Sequence, residues 1–275
     1  MTQITGKLWF SFIYLGVLVL GSIVVSVGPW DPSVMDASLI GRPQPPSLEH
    51  FFGTDELGRD LFLRTVFGAR ISLLVGFVAV GISLCIGLII GIVSGFLGGV
   101  LDEIVMRVID MLMALPTLFL ILIIQIILEP HIINVMMVIG VTSWMGIARL
   151  VRAEVLSLKE RVFVTALRAR GLSERRVLFK HIFPHTLNPI IVAAMLGMGG
   201  AILTESVLSF LGLGVQPPHA SWGNMLESSL GYLRDAPWMA FIPGILITLT
   251  VLSLNFLGDG LWVLIDPKSK EAKQS

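Results

Sequence analysis

The sequence predicts an all-α membrane protein of six transmembrane helices, with a short basic helical segment outside the bilayer between the fourth and fifth. Three observations predict it. Of the 275 residues, 55% are hydrophobic and 14% charged, with a mean hydropathy of +0.87, whereas a soluble domain carries about 25% charged residues. Such a chain lacks the polar groups to cover its surface in water, and lipid removes the need for them. The apolar residues fall into six runs, each near the roughly 20 residues a helix needs to cross the hydrocarbon core. The basic residues gather between the fourth and fifth runs, and Lys and Arg mark the cytoplasmic side.

Residues 1–7, with Lys7, precede the first run, Leu8–Val27. That run exceeds the roughly 7–15 apolar residues of a secretory signal, so it reads as an uncleaved anchor. Residues 28–70 form an extracytoplasmic loop. Pro29, Pro32, Pro43, Pro45 and Pro46 argue for irregular chain there, and Arg42, Arg59, Arg64 and Arg70 are offset by Asp31, Asp36, Glu49, Asp55, Glu56 and Asp60. Within it, Thr54 and Asp55 with Gly53 and Gly58 suit a capped turn followed by a helix carrying Arg59 and Arg64. A five-helix core over 71–265 follows, with spans at Ile71–Leu97, Ile104–Leu128, Ile132–Val151, Pro189–Leu211 and Met239–Leu264. Between the fourth and fifth spans, the loop 152–188 is flanked by Arg149 and contains Arg152, Lys159, Arg161, Arg168, Arg170, Arg175, Arg176 and Lys180. The tail 266–275 carries Lys268, Lys270 and Lys273. Six crossings return both termini to the side of the basic loop, and the terminal lysines agree with that side.

Gly87, Gly91, Gly95 and Gly99 recur every four residues, so they line one helix face and let a neighbouring backbone approach. Cys85 lies in an apolar run and reads as a small buried hydrophobe. In the third span, Glu103 and Arg107 are four apart and Arg107 and Asp110 three apart, the spacing of an ion ladder along one helix. Glu205 sits about 16 residues into the fifth span, about 24 Å along it. Intramembrane carboxylates usually face a cavity or a partner, so Glu205 is a candidate for the outer part of a translocation path.

The net charge of +0 gives no global field for nucleic acid. No G-x-x-x-x-G-K-[ST] phosphate loop and no H-E-x-x-H metal motif occurs, so any nucleotide chemistry must reside in other chains. His181 and His185 are four apart, but catalytic zinc usually takes three protein ligands. Within the basic loop, RVFVTALRARGLSERRVLFKHIFPHTLNP, one helix through Phe163, Ala166, Leu167 and Arg170 ends at Gly171. A second begins near Ser173 and places Val177, Leu178, His181 and Ile182 along one side, with Pro184 and Pro189 closing it. Its apolar face has no evident partner within the chain. Two readings stay open from the residues alone: a helix seated in a groove of another protein, or one resting on anionic lipid.

This loop resembles the coupling loop of integral-membrane subunits of ATP-binding-cassette importers. Aligned without gaps on Gly171 and Pro184, Ala166 also matches the family pattern, while Thr165, Leu167, His181 and Phe183 depart from it. The departures resemble the peptide and nickel branch, in which a His precedes the terminal Pro; Arg168-Ala169-Arg170-Gly171 and His181-Ile182-Phe183-Pro184 match that form approximately. FGTDELGRDLFLR (52–64) and SFLGLGVQPPHASWGNML (209–226) are similar to that branch's signatures in its second permease chain. The resemblance implies a cytoplasmic coupling helix, with Ala166, Arg168, Arg170, Gly171, Arg175, Arg176, His181 and Pro184 meeting an ATPase. It implies an outer mouth or binding-protein-facing surface at Asp55, Arg59, Asp60, Gly212, Gly214 and Trp222. The implied partners are a second homologous permease chain, two ATPase subunits that hold ATP and Mg, an extracytoplasmic binding protein and membrane lipid. The chain itself needs no cofactor, catalytic group or metal. Short peptides are the expected cargo, with nickel or a metal chelate as the alternative. A stand-alone carrier or channel would favour inverted repeats and paired intramembrane charges, and a membrane scaffold would need the basic loop alone.

Overall fold

A computed structural model describes residues 2–265, and every regular element among them is helical. In chain order they are α1 (Thr2–Val27), α2 (Leu61–Leu97), α3 (Gly99–Met113), α4 (Thr117–Ile127), α5 (Ile132–Lys159), α6 (Val162–Ala169), α7 (Glu174–Val177), α8 (Phe183–Phe210), α9 (Trp222–Ser229) and α10 (Trp238–Ile265). Five helical stretches are long and apolar enough to cross a membrane, or six if the bent pair α3 and α4 counts as one crossing. The lysines of the tail 266–275 lie outside the described residues.

The inner pair of the bundle is α2 against α5, the most extensive contact among the described elements. It is close because the glycine stripe lies at the contact. A Cβ on Gly91 would come 2.5 Å from the Ala148 carbonyl oxygen, and one on Gly87 would come 2.7 Å from Ile147. Gly95 faces the Arg152 carbonyl in the same way. Gly99 stands apart from the stripe: it has φ +62° and opens α3. α8 packs on both α2 and α10, and α1 lies outside them against α10 and α2. Only 11% of the α1 span is buried, so most of its surface is left for lipid or another chain.

Boundaries differ from the sequence expectation where charge or hydropathy misstates backbone geometry. α2 begins at Leu61 rather than Ile71, because the Asp60 carboxylate accepts the Leu63 N–H at 2.9 Å and caps the helix there. Its 37 residues make a helix about 55 Å long, so it extends beyond a 30 Å hydrocarbon core. Arg64 lies on a helix as expected, but that helix is α2 itself and carries Arg70 as well, while Arg59 stays in the turn before it. The third apolar run is not one helix: α3 and α4 meet at 79°. Pro116 sits in the break, and a proline removes an N–H and pushes the preceding residue out of the α region. α5 continues past Val151 to Lys159. Pro184 and Pro189 do not close a helix. A π turn at Leu178–Ile182 precedes Pro184 and leads directly into α8, and Pro189 lies inside α8. The stretch 212–238 between α8 and α10 holds the capped helix α9. Cys85 is exposed on α2, not buried.

Candidate functional site

The basic elbow. α6 and α7 form a helical elbow between α5 and α8. α6 ends in a Schellman arrangement: the Gly171 N–H donates to the Arg168 carbonyl at 2.9 Å and the Leu172 N–H to the Leu167 carbonyl at 3.3 Å. Gly171 holds φ +80°, a left-handed conformation that glycine adopts without a Cβ penalty. The Arg168 guanidinium then reaches across the turn to Glu174 with two bonds, 2.9 and 3.0 Å. Ser173 precedes α7 but makes no side-chain cap.

The apolar face of the elbow has a partner in its own chain. Val164, Val177 and Ile182 are fully buried and pack with Val151, Val155 and Leu158 of α5. Leu178 is partly buried beside them, and His181 is intermediate. What the elbow offers outward is a mixed face: Ala166, Arg170, Gly171, Arg175, Arg176, Lys180 and Pro184 are exposed, with Val162 at 86% and Phe179 at 59%. Arg175, Arg176, Phe179 and Lys180 line one shallow open groove on that face. The Phe163 ring lies 5.9 Å from the His185 ring, and no group of three metal-ligating side chains occurs among the described residues.

The end of α5 beneath the elbow is tied to α2 and α3 by polar contacts. Arg152 of α5 holds Asp102 of α3 with two bonds, 2.5 and 2.6 Å, and the Ser94 hydroxyl of α2 also donates to Asp102. Arg149 pairs with Asp110, and the Lys159 ammonium donates to the Phe96 carbonyl at 3.0 Å. These interhelical pairs replace the expected ladder within α3. Asp102 and Ile109 lie on the buried side of α3, while Glu103 and Arg107 point outward and exposed.

The opposite end. Asp55 is buried at the centre of a knot. Its carboxylate accepts the Leu57 and Arg59 N–H groups at 2.9 Å and the Arg59 Nε–H at 2.6 Å, and Arg64 Nε lies 3.1 Å away. Gly53 and Gly58, both with positive φ, turn the chain around it. Arg59 also reaches Glu56 at 3.0 Å. Burial, with Asp55 alongside, pushes the Glu56 carboxyl above the ordinary glutamate range. Asp60 caps α2 and meets His50 Nδ1 at 2.8 Å. So Asp55 and Arg59 organise the segment from within and present little surface.

Trp222 is also fully buried. Its indole N–H donates to the Thr65 carbonyl at 3.0 Å, and its ring fills the space over Gly68. Ser221 and Asn224 form a reciprocal capping box at the start of α9. Gly212 turns the chain out of α8 with φ +75°, and Gly214 is held against Ser209. Glu205 has no exposed surface. Its carboxylate accepts the Ser209 hydroxyl at 2.7 Å, and Ser206 lies at 3.5 Å. Ser209 in turn receives the Val215 N–H at 3.0 Å. Glu205 is therefore part of the support beneath the 212–224 loop and does not line an open surface of this chain. The sequence reading gave no role to the Arg64 side chain, to Ser209 and Ser221, or to Ser72 of α2, whose hydroxyl accepts the Trp222 backbone N–H at 3.4 Å. The spacing Ser221-x-x-Asn224 is a signal from which the cap could have been read.

Comparison with known proteins places these features. The family model described as "Binding-protein-dependent transport system inner membrane component" matches residues 87–271. The dipeptide transport system permease protein DppC of Alkalihalophilus pseudofirmus is 45% identical over 229 residues, covering 83% of this chain and 75% of that protein. The oligopeptide transport system permease protein OppC of Bacillus subtilis is 43% identical over 234 residues, covering 85% and 77%. Among solved structures, a chain of the MetNI methionine ABC transporter in an inward-facing conformation aligns with a TM-score of 0.62 at 18% identity, covering 75% of this chain and 98% of that one. The helical architecture is thus that of an ABC transporter membrane chain, and the chain belongs to the family of binding-protein-dependent transport system inner membrane components.

Proposed function

We propose that this chain is the second permease subunit of an ATP-driven importer of short peptides. It works beside a homologous permease chain, two ATPase subunits that bind ATP and Mg, and an extracytoplasmic binding protein. The observation that carries the proposal is the elbow. Its apolar residues are spent on α5, and a basic face studded with Val162 and Phe179 remains exposed. A groove on an ATPase is the occupant that such a face fits. The elbow lies on the cytoplasmic side with both termini. ATP-driven closure of the ATPase pair moves the elbow, and the Val164–Val177–Ile182 packing passes that movement to α5 and so to its partner α2. Arg170, Arg175 and Arg176 supply the charge for docking. Arg168 acts mainly by fixing the α6–α7 turn through Glu174. Peptide rather than nickel or chelate cargo is favoured by the two permease relatives, which are named for dipeptide and oligopeptide systems.

Purification of the chain with its neighbours, followed by reconstitution in proteoliposomes with radiolabelled di- and oligopeptides, tests the proposal. The expected result is uptake that requires ATP, both ATPases and the binding protein. Full uptake by this chain alone would overturn it.

A further inference from the structure

Deepening the functional reading above, on which it rests, we infer that a groove between α2, α5 and α8 is a contact site for the main chain of a peptide in transit. The groove has a volume of about 180 Å³ and is lined from three helices by small residues, among them Ser83 of α2, Ser143 and Gly146 of α5 and Gly197 of α8, together with larger aliphatic side chains such as Ile139 and Leu150. A cavity of about 150 Å³ admits a molecule the size of benzene, so this one holds a single small residue at a time.

Two independent features separate this groove from ordinary helix packing. The first is unused space. Gly87 and Gly91 bring α2 against the backbone of α5, but a Cβ on Gly146 would meet nothing within 4 Å, and one on Gly197 only Val80 at 3.4 Å. The small residues here keep room open that no described part of the chain fills. The second is an unspent hydroxyl. Thr65, Thr142, Ser143, Ser206 and Thr248 each donate to the carbonyl four residues back in their helix. The buried Ser83 and Ser253 do not: their hydroxyls have no partner among the described residues, and of the two only Ser83, 2% exposed, lines the groove. A buried hydroxyl left unpaired costs about 1–3 kcal/mol, which a passing amide group relieves once the helices part. No lining residue is charged. Such a wall recognises an amide main chain and tolerates varied side chains, because it makes no charged contact that would select among them. The occupant is thus an uncharged stretch of peptide rather than a metal ion.

The test uses the whole complex in proteoliposomes, with Ser143→Cys introduced into a Cys85→Ser parent and a charged, water-soluble thiosulfonate as probe. Ser143 and Gly146 are exposed to the groove. The expected result is labelling of position 143 during ATP turnover, slowed at least threefold by excess unlabelled alanine tripeptide. No labelling in any nucleotide state, labelling by a lipid-soluble maleimide only, or labelling indifferent to peptide would each overturn the inference; these outcomes mean that a partner helix, lipid or plain water occupies the groove. Gly146→Leu, which fills the space, is expected to lower peptide uptake at least tenfold in a complex that still purifies intact, and unchanged uptake contradicts the site. Peptide uptake by the Cys85→Ser parent separates the two levels. If the parent transports peptide and position 143 is silent, only the groove assignment falls. If the parent transports none, the functional reading falls and takes this site with it.

Discussion

Replacing Gly91 with alanine tests how the elbow is joined to the bundle. The added Cβ would lie 2.5 Å from the Ala148 carbonyl oxygen and 2.7 Å from the Val151 Cβ, where ordinary contact between carbons needs about 3.5–4.0 Å. α2 and α5 must part by about 1 Å along the stretch that supports Val151 and Val155 under the elbow. Overpacking of this kind costs about 1–3 kcal/mol. Gly81→Ala on the same helix is the control, since nothing lies within 4 Å of its Cβ position. Both changes gain about 1 kcal/mol of helix propensity, so the two variants differ by the overpacking alone. Thermal unfolding of the purified complex in detergent measures that difference. Gly91→Ala is expected to lower the midpoint relative to Gly81→Ala, and to weaken coupling between ATP hydrolysis and uptake. Equal midpoints for the two variants would refute the close α2–α5 contact.

At Gly171 the backbone, not space, is the constraint, because nothing lies within 4 Å of a Cβ there and φ is +80°. Coupled uptake should therefore fall in the order Asn, then Ala, then Val, as left-handed backbone costs roughly 1–2 kcal/mol without glycine and less for Asn; a Gly171→Asn variant as impaired as Gly171→Val contradicts that reason. Asp55→Asn leaves Arg64 buried without its anion and Arg59 with Glu56 alone, a loss of about 3–5 kcal/mol, and should speed proteolysis within residues 28–60 while His50→Ala, at the half-exposed edge, does so far less. Gln125 is buried with both amide atoms unpartnered among the described residues, so Gln125→Leu is expected to raise thermal stability by about 1–3 kcal/mol; a drop would show that the amide has a partner in the assembled complex.

Hydropathy and charge made much of the plan readable: the apolar helices, the basic loop and the glycine stripe of Gly87, Gly91 and Gly95 all appear where their spacing puts them. Gly171 was legible as a helix stop because a C-terminal glycine has one common use. Other features were hidden for specific reasons. Hydropathy cannot see backbone direction, so the run through Pro116 passed as one helix. Charge ends an apolar run without ending a helix, and this hid the continuity of the helix carrying Arg64 with the second span as one α2. The same error at Val151 hid the elbow's partner: α5 continues to Lys159, and Val155 and Leu158 on that extension bury Val164, Val177 and Ile182. Polar and aromatic residues outside the spans suggested a surface, yet Asp55, Arg59 and Trp222 are buried, and Glu205, expected to face a path, is buried within α8. Their partners, Arg64 and the serines of α2, α8 and the 212–224 loop, come together only in the tertiary fold.

The side of the membrane on which the elbow lies, and what covers it there, is the most direct test. In the Cys85→Ser parent, Arg175→Cys places a thiol on the exposed basic face. A membrane-impermeant maleimide should label it in inside-out vesicles only, and addition of the ATPase subunits should shield it. Labelling from the outside of sealed right-side-out vesicles, or labelling unaffected by the ATPases, would contradict the account.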